Sequence, residues 1–140
     1  MKTVGISTAE DLKMFLPDFY EDMAYDGSPK LKDYIPTGVW FNLKEGSTIA
    51  GFINAEPLNN VMWNCHVYIY EKFRGNNSEQ WAVQVADYLR EHTGATKFLA
   101  ITPYESAKHY AERAGFKLVG VLSSSIRKNG KLLNQYLLEI

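Results

Sequence analysis

Residues 61–102 constrain this chain more than any other stretch. "VMWNCHVYIY", 61–70, places Trp63, Cys65, Val67 and Ile69 on one face and Met62, Asn64, His66, Tyr68 and Tyr70 on the other, as a strand does. A polar loop follows. Trp81, Val85, Tyr88, Leu89 and His92 then recur at helical spacing over about 77–92. "TKFLAIT", 96–102, is apolar on both faces, which suits a parallel or central strand. Together these elements predict a β-α-β crossover with its polar loop at a helix N-terminus. Unpaired N–H groups and the helix dipole favour an anion there.

The flanking sequence supplies an antiparallel half and a closing hairpin. Residues 2–6 read as a short strand, and Ser7 or Thr8 can cap the helix that follows. Leu12, Phe15, Leu16, Phe19 and Met23 keep helical spacing, but Pro17 interrupts them. The pattern allows two short helices, roughly 8–16 and 17–24, or one kinked helix. Residues 25–37 form a long loop of the kind that often carries function. Val39, Phe41 and Leu43, then Ile49, Gly51, Ile53 and Ala55, alternate around a turn at "KEGS" and predict a hairpin. Beyond the crossover, a helix over about 105–114 presents Ala107, Tyr110, Ala111 and Ala114 on one side. Gly115 suits a left-handed cap, with Phe116 packing back. Asn129-Gly130 is a strong hairpin signal between two last strands. The expectation is one α+β domain over 1–140, with a mixed, mostly antiparallel sheet of six to seven strands between helical layers, about four helices in all.

Composition narrows the function classes. A chain of 140 residues with net charge −1 has no overall field to draw it to nucleic acid or to an anionic membrane. Cys65 is the only cysteine, so neither an intramolecular disulfide nor a cysteine zinc site is expected. His66, His92 and His109 lack metal-ligand spacing. The N-terminal stretch lacks the apolar core of a signal peptide and no run approaches transmembrane length, so a cytoplasmic protein is expected.

Two motifs carry a family resemblance. "IYEKFRGNNSEQW" is similar to the Arg/Gln-x-x-Gly-x-Gly/Ala loop of the GNAT acyl-CoA N-acyltransferases, usually written Arg-Gly-x-Gly-x-Gly or Ala. Arg74 and Gly75 match, while Asn77 and Glu79 stand where Gly and Gly or Ala are usual. "SAKHYAERAGFKLVG" resembles the family's later helix. Ala107, Glu112, Arg113, Gly115 and Phe116 match there, but Ala111 occupies the place of the frequent general-acid tyrosine and Tyr104 that of a frequent Asn. The resemblance covers nearly the whole chain in element order. It implies acetyl-CoA as donor, held by Ile69, Glu71, Arg74, Gly75, Asn76, Asn77, Ser78 and Glu79, with the pyrophosphate at the loop. It also implies a base on the fourth strand. No carboxylate lies in 61–70, so His66 is the candidate base, with Tyr104 as candidate acid.

Each of these residues has a plainer reading. Asn76 and Glu79 can form a capping box as N-cap and N3. His66 can be a hydrogen-bonded packing residue, Tyr104 a cleft wall, and Cys65 and Tyr110 core. Arg127, Lys128 and Lys131 read most simply as a solvated hairpin tip. Trp40, Phe52, Trp63, Tyr68 and Tyr70 should be mostly core, and any exposed member would mark a protein interface. Two functions follow. One is acetyl transfer to an amine of a small molecule or protein. The other is a catalytically silent GNAT-like binding or assembly protein. It would act as a homodimer or with a protein partner, for example in a phage virion, with host cytoplasm as its location. An open gap between the fourth and fifth strands favours the first; a gap plugged by Glu79 or an aromatic favours the second.

Overall fold

The computed structural model describes residues 1–140. Its elements are β1 (Lys2–Ile6), α1 (Ala9–Met23), β2 (Val39–Glu45), β3 (Thr48–Pro57), β4 (Met62–Ile69), α2 (Glu79–His92), β5 (Lys97–Thr102), α3 (Glu105–Arg113), β6 (Lys117–Lys128) and β7 (Lys131–Glu139). Short 3-10 turns cover Leu31–Asp33 and Glu71–Phe73. The strands form one sheet in the order β1-β2-β3-β4-β5-β7-β6. Every pairing is antiparallel except β4 with β5. No helix is long and apolar enough to cross a membrane.

Strand alternation separates two apolar layers. Phe41, Leu43, Ile53, Ala55, Trp63 and Ile69 pack with Trp81, Val85 and Leu89 of α2 and Tyr110 of α3. On the other face Phe19 of α1 is buried against Trp40 and Phe52, with ring centroids 4.7 and 5.6 Å away. Of the five aromatics expected in the core, Trp40, Phe52 and Trp63 are buried, while Tyr68 and Tyr70 are half-buried beside α1.

Three α-helices form, where about four were expected, because 9–23 is a single helix. Pro17 lies on its exposed side, where water can meet the carbonyl that the missing N–H leaves unpaired. Thr8 caps this helix in a capping box. The Asp11 N–H donates to Thr8 Oγ1 and the Thr8 N–H to Asp11 Oδ2, both at 3.1 Å. Asn42 of β2 adds a 2.7 Å bond to the same carboxylate. The Thr8 N–H first, then Asn42, holds the Asp11 carboxyl below its usual range. Such a group stabilises the fold above its unfolded value and loses that contribution as pH falls through the folded one. Thr8→Ala is therefore expected to cost about 1 kcal/mol at neutral pH in urea denaturation. The Thr8 hydroxyl also helps hold the Asp11 carboxyl low, so part of the difference should be lost as pH falls through that lowered folded value.

The expected cap at Gly115 forms with φ +101°. The Phe116 N–H donates to Ala111 C=O at 2.9 Å and the Gly115 N–H to Glu112 C=O at 3.0 Å, the paired bonds of a Schellman motif. Asn129 and Gly130, at φ +53° and +78°, make the β6–β7 turn. Asp26 ties the long loop to that turn by accepting from both of their N–H groups, at 2.9 and 2.8 Å.

The pairing that matters for function is incomplete. β4 and β5 pair only at Met62–Asn64 against Lys97–Leu99. Beyond that, β4 stays with β3 through Ile69 while β5 stays with β7 through Thr102. A seam therefore opens in the middle of the sheet.

Candidate active site

The seam is bordered by a groove on one side and leads into an apolar cavity. The groove, about 450 Å³, runs between the end of β4, the 74–78 loop and α3. Ile69, Arg74, Gly75 and Ser78, four of the candidate cofactor-binding residues, line it together with His109, Tyr110 and Arg113. Glu71, Asn76, Asn77 and Glu79 do not line it. Glu71 is exposed in its 3-10 turn, and Asn76 and Asn77 are exposed on the loop.

The loop is not a capping box. Gly75, Asn76 and Asn77 all take left-handed backbone, at φ +82°, +49° and +61°, so Asn76 cannot serve as N-cap. The helix begins at Glu79, two residues later than its spacing suggests, after Ser78, whose side chain caps nothing. Asparagine supplies the left-handed geometry here in place of glycine. The Gly75, Asn76 and Asn77 N–H groups donate to no protein acceptor. The Ser78 hydroxyl is buried on the groove and has no hydrogen-bond partner. Its carbonyl accepts from the Tyr110 hydroxyl at 2.9 Å, which fixes the loop to α3. Glu79 turns away to Arg113, 3.7 Å from its Nε. Arg74 is anchored by donating from Nε to Ile69 C=O at 2.8 Å. The unpaired Gly75 N–H and Ser78 hydroxyl, the start of α2 and two arginines, Arg74 and Arg113, thus lie together along the groove, an arrangement suited to an anion.

His66 and Tyr104 both border the seam. His66 Nε2 lies 3.2 Å from Asp22 Oδ2, so the carboxylate favours a tautomer with Nε2–H donating and Nδ1 free to accept. Phe19 packs edge-on against the imidazole, with centroids 4.8 Å apart. Lys128 Nζ donates to the Asp22 backbone carbonyl at 2.9 Å and to Tyr104 Oη at 2.5 Å. Lys128 is therefore not part of a solvated hairpin tip: the end of α1 leaves carbonyls unpaired, and the ammonium satisfies one. Asp22 and Lys128 were both missed by sequence reasoning. Asp22 carried a signal, since it follows Phe19 by three residues and so shares the inward stripe of α1.

The surroundings of this cluster are anionic. Burial first, then Asp18, pushes the Tyr68 hydroxyl up; Asp22 and Glu21 add to the effect and Arg74 opposes it. Burial likewise raises the hydroxyl of Tyr70, which donates to Asp18 Oδ2 at 3.0 Å. Cys65 faces the apolar side. Burial pushes its thiol up to about 12, so it stays neutral near pH 7 and is no nucleophile.

The sequence profile of the acetyltransferase (GNAT) family matches residues 8–116. The fold matches the spermidine/spermine N-acetyltransferase SpeG from Vibrio cholerae with a TM-score of 0.79 at 16% identity, over 100% of this chain and 94% of that one. It matches Arabidopsis thaliana NAA60, solved in complex with acetyl-CoA, with a TM-score of 0.75 at 14% identity, over 100% and 98%. A phosphinothricin acetyltransferase from Sinorhizobium meliloti, also in complex with acetyl-CoA, gives 0.77 at 14% identity, over 99% and 87%. No curated protein matches the sequence. With most of its length matched by the family profile, the chain belongs to the acetyltransferase (GNAT) family.

Proposed function

We propose that this protein transfers an acetyl group from acetyl-CoA to an amine. The observation that carries this reading is the open seam, where the anion-suited groove and the His66–Asp22–Lys128–Tyr104 cluster meet. Glu79 does not enter the groove, and Phe98 and Tyr110 stand as walls of the cavity. The fold neighbours add support. SpeG is a spermidine/spermine N-acetyltransferase, both of those compounds are amines, and two other neighbours were solved with acetyl-CoA.

In this reading the loop N–H groups, Ser78, Arg74 and Arg113 receive the pyrophosphate, and the thioester lies at the seam. The amine nitrogen attacks the thioester carbonyl, the new C–N bond forms and the C–S bond breaks. His66 Nδ1 takes the proton that the amine loses, with Asp22 orienting the ring. Tyr104 gives a proton to the departing thiolate, and the Lys128 ammonium stabilises the phenolate left behind. Positioning of the two reactants supplies much of the remaining acceleration. Asp18, Glu21 and Asp22 favour a cationic acceptor on this side.

The test is release of free CoA thiol from acetyl-CoA with spermidine and with a lysine-bearing peptide as acceptors. Amine-dependent release is expected. No release from either, with acetyl-CoA bound, would instead favour the silent binding protein, whose supporting observation is alanine at position 111.

A further inference from the structure

The seam leads into a cavity that an acetyl group would not fill. Its volume is about 70 Å³, whereas one water-sized sphere needs about 10–15 Å³ on the same measure. Six alanines line it: Ala82 and Ala86 from α2, Ala100 from β5, Ala107 and Ala111 from α3, and Ala114 at the α3 C-cap. The cavity shares Asp22, Val67, Tyr104, Ala107 and Tyr110 with the groove, so the two are continuous at the point where a thioester would lie. The cavity wall beyond that point is apolar, with Phe98, Val85 and a neutral Cys65 thiol. Protein interiors normally close such space, and larger side chains on this wall would reduce it. Ala111 is the clearest case, because it is buried on α3 and faces this space.

We propose that the cavity is an acyl-chain pocket and that the preferred donor carries a short chain longer than acetyl, of butyryl size. This rests on the acyl-CoA reading of the groove. The chemistry is unchanged: the same C–S bond breaks, the same amide forms, and the additional methylenes occupy space bounded by alanines. Ala111 and Ala100 set the depth of the pocket.

Calorimetric titrations with free CoA, acetyl-CoA and butyryl-CoA test the proposal. Each buried methylene is worth about a fourfold gain in affinity, so butyryl-CoA is expected to bind roughly fifteenfold more tightly than acetyl-CoA. Ala111→Leu should remove that preference. Ala100→Val, a smaller change on a different element, should reduce it if the leucine is not tolerated. Equal or weaker binding of butyryl-CoA than of acetyl-CoA overturns the pocket and leaves the donor reading standing. A preference that survives in folded Ala111→Leu also overturns it. Absence of binding by all three ligands overturns the donor reading and the pocket with it.

Discussion

Replacing His66 by alanine is expected to lower turnover of acetyl-CoA with spermidine by about a hundredfold to ten-thousandfold, the usual contribution of a placed general base. A specific geometry supports the proposed role. Nε2 is held by Asp22 at 3.2 Å, Phe19 packs against the ring, and the ring borders the seam. The KM for acetyl-CoA should change little, because His66 lies outside the groove. Asp22→Asn should give a smaller loss of the same kind, since in the proposed mechanism Asp22 orients the base without taking the proton. Steady-state kinetics beside a thermal melt separate this from a packing role. A packing histidine would lower the melting temperature and leave kcat unchanged, and that result would remove His66 from the mechanism.

The largest effect on stability is expected from Gly51→Ala. A Cβ at Gly51 would sit 2.2 Å from the Tyr68 carbonyl oxygen and 2.8 Å from Ile69 Cα. Both are backbone atoms of the neighbouring strand, so no side chain can rotate away. The substitution must push β4 from β3 at the point where Ile69 borders the groove and accepts from Arg74. A loss of about 3 kcal/mol is expected, at the upper end for overpacking. For a chain of this size that corresponds to a fall of roughly 10 °C in Tm. Chemical and thermal denaturation measure both. A change within about 0.5 kcal/mol, the range of an ordinary surface substitution, would show that the two strands are not held this closely.

The sequence made the fold legible where local chemistry decides it. Period-2 alternation assigned Cys65 and His66 to opposite faces, and the α3 cap and the Asn129-Gly130 turn follow from residues that tolerate left-handed backbone. Element order then pointed to the fold that the family profile and the solved neighbours share. The site was legible only in part, because it depends on what distant segments bring together. Asp22 and Lys128 meet across 106 positions, and nothing local to either residue requires it. The family's strand carboxylate is absent from β4, yet a carboxylate reaches His66 from α1.

The loop shows a different limit. Asn-x-x-Glu fits a helix cap in sequence, but here the asparagines replace glycines at left-handed positions, and Glu79 pairs with an arginine 34 residues on. Polar identity alone does not distinguish the two, since asparagine suits both an N-cap and a left-handed turn. The seam itself left no mark on either strand, because it is a property of where pairing stops.

Titration of the protein with acetyl-CoA by calorimetry tests the central claim most directly. Saturable binding of one molecule per chain is expected, with a dissociation constant between about 1 μM and 1 mM, the common range for enzyme substrates. The absence of binding at millimolar ligand to folded protein would contradict it.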